Sequence, residues 1–220
     1  MNIENIINTS IPYLTLNDQV QKAIDVANDL ALSSMPIVSD SVFCGLVTVD
    51  MLLDRDPDEL ISVLEPYFNR KAILGSDHFF SAIKYIADHK TSLVPIVEDQ
   101  NQYLGVVTSQ DIHDYMGNLT LFSIEGGILI ISMPALQYSL QELSRLAESN
   151  DASIMASFVT SLDTDPTEIC VTLKFNKTDL TRVIATYERF SFNILAVYHQ
   201  SDLVNRDIDR LEHLFRYLNV

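Results

Sequence analysis

The sequence predicts an α+β protein in two parts: a strand-helix-strand-strand-helix unit used twice, then a β-α-β-β-α-β unit followed by a helix. Three observations lead there. Residue patterns within the first 118 positions recur at a spacing of 59 to 60. Three of the six glycines, Gly117, Gly126 and Gly127, cluster at one boundary. Beyond that boundary the hydrophobic period switches between strand and helix values in a new order.

The repeat is read first, because it organises the rest. Asp18 opens a run with Val20, Ala23, Ile24 and Ala27, which is helical spacing, and Asp77 opens the same run with Phe79, Ala82, Ile83 and Ile86. Each helix feeds a strand, Met35-Pro36-Ile37-Val38 or Val94-Pro95-Ile96-Val97. Each strand turns into another, Cys44-Gly45-Leu46-Val47-Thr48 or Leu104-Gly105-Val106-Val107-Thr108. The extra residue of the second copy falls in the polar turn Glu98 to Tyr103, where insertions are tolerated. A unit of about 60 residues has too little core to stand alone, so two copies are expected to pack sheet to sheet. Repeat one is assigned to 1–59 and repeat two to 60–118, with a linker at 119–127.

At these residues the chain resembles the CBS-domain family, whose tandem pair is the Bateman module. The resemblance spans about residues 5–118 and rests on the two hydrophobic-Pro-hydrophobic strands and the two Gly-x-Val-Thr-like turns. It implies an adenine nucleotide, AMP or ATP, bound as a regulatory ligand between the repeats. The family signature there, Gly-x-hydrophobic-Ser/Thr-x-x-Asp, is complete in Gly105 to Asp111. By the resemblance Thr108 caps a helix and touches phosphate, while Asp111 accepts hydrogen bonds from ribose hydroxyls. A helix N-terminus suits phosphate, and a carboxylate suits a vicinal diol. Thr108 and Asp111 also form a capping box that requires no ligand.

The same resemblance assigns Thr91, Ser92 and Leu93 to the walls around the base and His89 and Lys90 to the phosphates. Arg70 and Lys71, the only adjacent basic pair in the chain, enter the second repeat where the ligand passes. Each has a simpler reading: His89 and Lys90 complement a helix dipole, and Arg70 and Lys71 form a solvated strand edge. Repeat one departs from the signature. Met51 stands where Asp111 stands, and Asp50 is one residue early, about 100° around the helix. One competent site per chain, in the second repeat, is therefore expected.

The second half begins with a buried-strand run, Ile128 to Met133. A helix pattern follows with Leu140, Leu143, Leu146 and Ala147, then strands near 152–161 and 168–175. A helix with Leu180, Val183, Ile184 and Tyr187 leads to a last strand, Ile194 to Tyr198. This order is the ferredoxin-like split unit, assigned to 128–203. It resembles an ACT domain, although the loop Pro134 to Leu140 lacks the glycine of that family's ligand loop. The CBS-CBS-ACT order resembles small bacterial regulators of the acetoin-utilization AcuB type. Val204, Ile208, Leu211, Phe215 and Leu218 form an a/d stripe on a C-terminal helix at 204–220, docked on its own domain or across a dimer.

Composition limits the function further. A net charge of −16 and a pI of about 4.4 repel phosphates and anionic lipid, so neither nucleic acid nor membrane is expected as a partner. Cys44 and Cys170 read as buried free thiols of a reducing compartment. The start, Met1-Asn2-Ile3-Glu4, has no signal-peptide pattern, and the run Ile128–Ile131 is far short of the roughly 20 residues that span a bilayer. A cytoplasmic location is expected. The five histidines lack the i, i+4 spacing of a metal pair, neither cysteine has a histidine near it in sequence, and six glycines leave no phosphate-binding loop. These readings give a non-enzymatic, cofactor-free regulator. It is expected to be homodimeric, to bind an adenine nucleotide and to signal to a protein target. The alternative is a dimeric scaffold whose sites have degenerated.

Overall fold

A computed structural model describes residues 2–162 and 165–199. The chain divides into two compact units, Met1–Asn118 and Leu119–Val220.

The first unit contains α1 (Val20–Asp29), β1 (Ser34–Ser39), β2 (Val42–Thr48) and α2 (Val49–Leu53), then a tight-helical segment, Ile61–Tyr67. The second copy follows as β3 (Ile73–Leu74), α3 (Phe79–His89), β4 (Leu93–Val97), β5 (Tyr103–Thr108) and α4 (Ser109–Gly117). Val20, Ala23 and Ala27 bury one face of α1, and Phe79, Ala82 and Tyr85 bury the matching face of α3. β3 runs parallel to β4, which pairs antiparallel with β5. In repeat one the first strand shrinks to a single parallel bridge, Leu14 to Ile37. Both helices end on a left-handed residue at the same place, Ala31 (φ 51°) and Lys90 (φ 50°).

Packing draws the repeat boundary differently from periodicity. Ile61, Leu64 and Phe68 lie in the core of repeat one with Leu14, Val20, Met35, Ile37 and Leu52. Ile3 lies in the core of repeat two, and so do Phe43 and Leu46 from β2. The division at 59/60 thus separates residues 61–68 from the core they complete. Asn8 bridges Val106, and Asn69 bridges Leu46, so each connecting segment lies along the last strand of the repeat it completes. Gly105 (φ 149°) and Gly45 (φ 151°) permit this approach. A Cβ there would come within 2.6 Å of Ile7 Cγ2 or of Phe68 Cβ, and the backbone angle itself disfavours other residues.

The second unit opens with α5 (Thr120–Ser123), inside the stretch read as linker, then β6 (Ile128–Pro134), α6 (Leu140–Glu148), β7 (Ile154–Leu162), β8 (Asp165–Phe175), α7 (Thr181–Arg189) and β9 (Asn193–Tyr198). The four strands lie in the order β7-β8-β6-β9, every pair antiparallel. This is the split β-α-β connectivity. Leu129, Ile131 and Met133 of β6 face α6 and α7, whereas Ile128 and Ile130 are only half-buried. The Tyr187 hydroxyl donates to the Leu143 carbonyl at 2.7 Å and ties the two helices together. The cysteines are free but half-buried, not fully enclosed as their apolar neighbours suggested. The C-terminal stripe from Val204 to Leu218 lies outside the described residues. Among those described, no helix is long and apolar enough to cross a membrane.

Candidate functional site

The start of α4 is fixed by a reciprocal cap. Thr108 Oγ1 accepts from the Asp111 amide at 3.1 Å, and the Thr108 amide donates to Asp111 Oδ2 at 2.8 Å. The Thr108 hydroxyl also donates to that carboxylate oxygen at 2.6 Å. The other oxygen, Oδ1, receives Asn8 Nδ2 at 3.4 Å. The capping box foreseen in the sequence is therefore complete, and it joins α4 to the N-terminal segment.

Asp111 also lines a cavity of about 450 Å³ formed by Ile6, Ile7, Asn8, Thr9 and Ser10 on one side and by Asp114, Tyr115 and Asn118 of α4 on the other. Among the described residues that line it there is no Lys, Arg or His. Ser92 reaches the cap through its carbonyl, which accepts from the Ser109 amide at 2.9 Å.

Ser92 faces its equivalent in repeat one, Ser33, and Thr91 faces Ser34. Ser33 and Ser92 hydroxyls lie 3.2 Å apart, and those of Ser34 and Thr91 3.0 Å apart. The Val49 amide donates to the Ser33 carbonyl at 3.0 Å, the counterpart of the Ser109 bond. The Ser33–Ser92 pair, two equivalent residues in contact, marks the local dyad between the repeats. Leu93 is fully buried at the start of β4.

The basic candidates occupy other ground. The His89 ring stacks on Tyr85 with centroids 4.2 Å apart, and its Nδ1 lies 2.9 Å from the Tyr85 carbonyl oxygen of the same helix. The Tyr85 hydroxyl donates to the Lys71 carbonyl at 3.0 Å, and burial pushes its pKa up to about 12. Lys90 is exposed at the end of α3. Arg70 pairs with Glu65 at 3.2 Å in solvent. The structure thus does not gather Arg70, Lys71, His89 and Lys90 in the cavity of Asp111.

The local symmetry gives the reason. The Ser10 amide donates to Asn8 Oδ1 at 2.9 Å, and the Lys71 amide donates to Asn69 Oδ1 at 3.1 Å. Asn69-Arg70-Lys71 therefore corresponds to Asn8-Thr9-Ser10, and lies along β2, whose end carries Thr48, instead of along β5. The sequence reading missed Asn8 and its neighbours. Extending the repeat backwards from Ile73 and Leu14 at the same spacing matches Asn69 with Ser10, so the structural pairing of Asn69 with Asn8, 61 residues apart, left no signal in the spacing.

No group of three or more His, Cys, Asp or Glu side chains that could hold a metal occurs among the described residues.

Comparison with known proteins bears on this unit. No curated protein matches the sequence. Among solved structures the chain is similar to a CBS domain pair/ACT domain protein from Thermotoga maritima, at 16% identity and a TM-score of 0.48, over 53% of this chain and 96% of that one. It is similar to the CBS domains of a transcriptional regulator from Streptococcus pneumoniae at 23% identity and a TM-score of 0.46, over 52% and 98% of the two chains. A Vibrio cholerae protein described as acetoin utilization protein AcuB aligns at 16% identity with a TM-score of 0.46, over 54% and 91%. The family model of the CBS domain matches residues 72–118. The chain therefore carries a CBS domain at residues 72–118, the segment running from the start of β3 through the end of α4.

Proposed function

We propose that the protein is a non-catalytic ligand-sensing regulator that takes an adenine nucleotide, AMP or ATP, in the cleft beside Asp111. The observation that carries this reading is the cavity itself. A half-buried carboxylate at a capped helix start faces a groove of backbone and small polar groups between α4 and Ile6–Ser10. Such a surface offers a diol acceptor next to a helix N-terminus. The second unit, whose strand order supports an ACT-like reading, passes the bound state to a protein target. The working form is a cytoplasmic homodimer.

The test is thermal unfolding with AMP, ATP or amino acids added. A ligand of the folded state alone stabilises by about 2.7 kcal/mol at a hundred times its Kd, so the midpoint must rise with concentration. One observation favours the scaffold alternative: Asp111 already accepts from Thr108 and Asn8, and no Lys, Arg or His is among the described residues that line its cavity. A midpoint unmoved by any nucleotide decides for that alternative.

A further inference from the structure

The two helices of the second unit lie on one face of its sheet. Leu129, Ile131 and Met133 of β6 and Val171, Leu173 and Phe175 of β8 pack there with Leu143 and Leu146 of α6 and Val183 and Tyr187 of α7. The alternate residues make up the opposite face. On it Lys174 stands between Ile128 and Ala156, Thr172 between Ile130 and Phe158, and Cys170 between Ser132 and Thr160. Tyr198 and Ala196 of β9 extend the first two of these rows.

This second face is largely apolar and incompletely covered. Ile128, Ile130, Cys170 and Ala196 are half-buried, while Phe158 is 50% exposed and Tyr198 62%. Apolar side chains scattered singly over a surface are ordinary, but a contiguous sheet face of them implies a covering group. Two charges of β8 belong to the same face and stand at its opposite ends: Lys174 beside Ile128, and Glu168 opposite Pro134. They are about 20 Å apart along the strand. Among the described residues neither has an ion-pair partner.

We propose that this open face is the seat of the chain's own apolar stripe, Val204 to Leu218, laid across the sheet from the Lys174 end to the Glu168 end.

The course of the chain leads there. β9 ends at Tyr198, in the row of Ile128 and Lys174, so the chain leaves the sheet at the Lys174 end. A cavity of about 780 Å³ opens at that corner, lined by Phe122, Lys174, Tyr198 and His199 among others. Residues 200–203 reach about 13 Å when extended, enough to turn from the end of β9 onto the neighbouring strands. Val204, Ile208, Leu211, Phe215 and Leu218 share one side at helical spacing, with Arg206 and His213 on the other. A helix of about fifteen residues is marginal alone in water, so such a stripe requires an apolar surface. The charges agree with the direction. Asp202 precedes the stripe and Arg216 stands near its end, about 20 Å apart at helical rise, which sets Asp202 near Lys174 and Arg216 near Glu168. The reverse course would bring like charges together. Four connecting residues also hold the stripe at a millimolar effective concentration over the face, whereas a second copy must approach against the repulsion of two chains of −16.

Cys170, in the middle of the face, supplies the probe. In a full chain carrying Cys44→Ser, one further cysteine is placed on the stripe (Ile208→Cys, Leu211→Cys or Phe215→Cys) or opposite it (Arg206→Cys or His213→Cys), and each protein is oxidised with diamide at micromolar concentration. A disulfide needs Cβ atoms within about 4.5 Å. At least one stripe position should lose both free thiols to a bond within the chain, about tenfold faster or more than either opposite position and at a rate independent of protein concentration. In the Cys44→Ser chain, Leu211→Asp should also raise the rate at which Cys170 reacts with a soluble disulfide reagent about tenfold, while His213→Asp leaves it unchanged. Equal rates on and off the stripe, or no bond within the chain at any position, overturn the proposal. Disulfides between chains, faster at higher concentration, assign the face to a second copy and overturn it as well.

Discussion

The two helix starts after β2 and β5 are one backbone device carrying different chemistry. Thr48 accepts from the Met51 amide at 3.3 Å, as Thr108 accepts from that of Asp111. A bulge precedes the glycine in both hairpins, and an asparagine turn lies across both. The side chains then diverge. The second start has Asp111 and Asp114 beside Asn8-Thr9-Ser10, while the first has Met51 in the place of Asp111 and Asn69-Arg70-Lys71 along the preceding strand. Asp111 and Asp114 stand at one start, and Arg70 and Lys71 lie along the strand that leads to the other. The two copies share what holds the backbone and differ in the side chains beside it, so the two helix starts cannot be read as chemically equivalent.

The largest effect that sharpens this comparison concerns the shared glycines. Gly45→Ala and Gly105→Ala should each cost about 2–3 kcal/mol, since both combine a left-handed φ with a collision. Gly45→Ala should be the worse, because Phe68 Cβ is held close to its backbone whereas the methyl of Ile7 can swing aside. Urea midpoints of the two variants check the order. Equal midpoints would mean that Ile3 and Ile7 hold their segment as rigidly as Phe68 holds the other.

Cap removal comes next. Thr108→Ala should lose about 1–2 kcal/mol, because the reciprocal carboxylate bonds go with it, and Thr48→Ala about 0.5–1 kcal/mol. Chemical denaturation without ligand measures both. Met51→Asp then asks whether the difference is the acid alone. It should add about 0.5–1 kcal/mol by completing the box on α2, without creating nucleotide binding, since no cavity follows from the cap. Calorimetry that finds two nucleotides per chain in this variant would show the first cleft lacked only its carboxylate.

The smallest effect separates the helices that precede these strands. Asp18, before α1, is raised by burial, but the bonds from Lys22 and Thr15 outweigh this and hold its carboxyl below its ordinary value. Its contribution to folding is therefore present above the unfolded carboxylate pKa and lost as pH falls through the lower folded value, below about pH 4. Asp18→Asn should flatten the acid limb of the stability profile and leave the neutral region less stable. An unchanged acid limb would place the acid sensitivity elsewhere.

Much of this was legible in the chain. The helical faces Val20/Ala23/Ala27 and Phe79/Ala82, the paired strands and the Thr108 box are set by contacts a few residues apart, so a spacing of three, four or two records them. The alternation of Leu129, Ile131 and Met133 was harder to see, because Ile128 and Ile130 are apolar too and only the open face of the sheet distinguishes them. The surroundings of the basic pair were not legible for a related reason: Arg70 and Lys71 precede β3 in sequence, but the adjoining Asn69 bridges Leu46 on the last strand of repeat one.

By itself the sequence determined the duplication, the order of the main helices and strands of both units and the capped start of α4, because local hydrogen bonds and side-chain periods are written along the chain; it did not show α5 or the tight-helical segment Ile61–Tyr67. Only the tertiary structure decided that Ile3 completes the second core and Phe68 the first. It also decided that Asn8 closes on Asp111 and that Asn69-Arg70-Lys71 lies along β2. Those outcomes depend on which distant segments bury each other's apolar surface at Gly45 and Gly105, and no spacing in the sequence measures that energy.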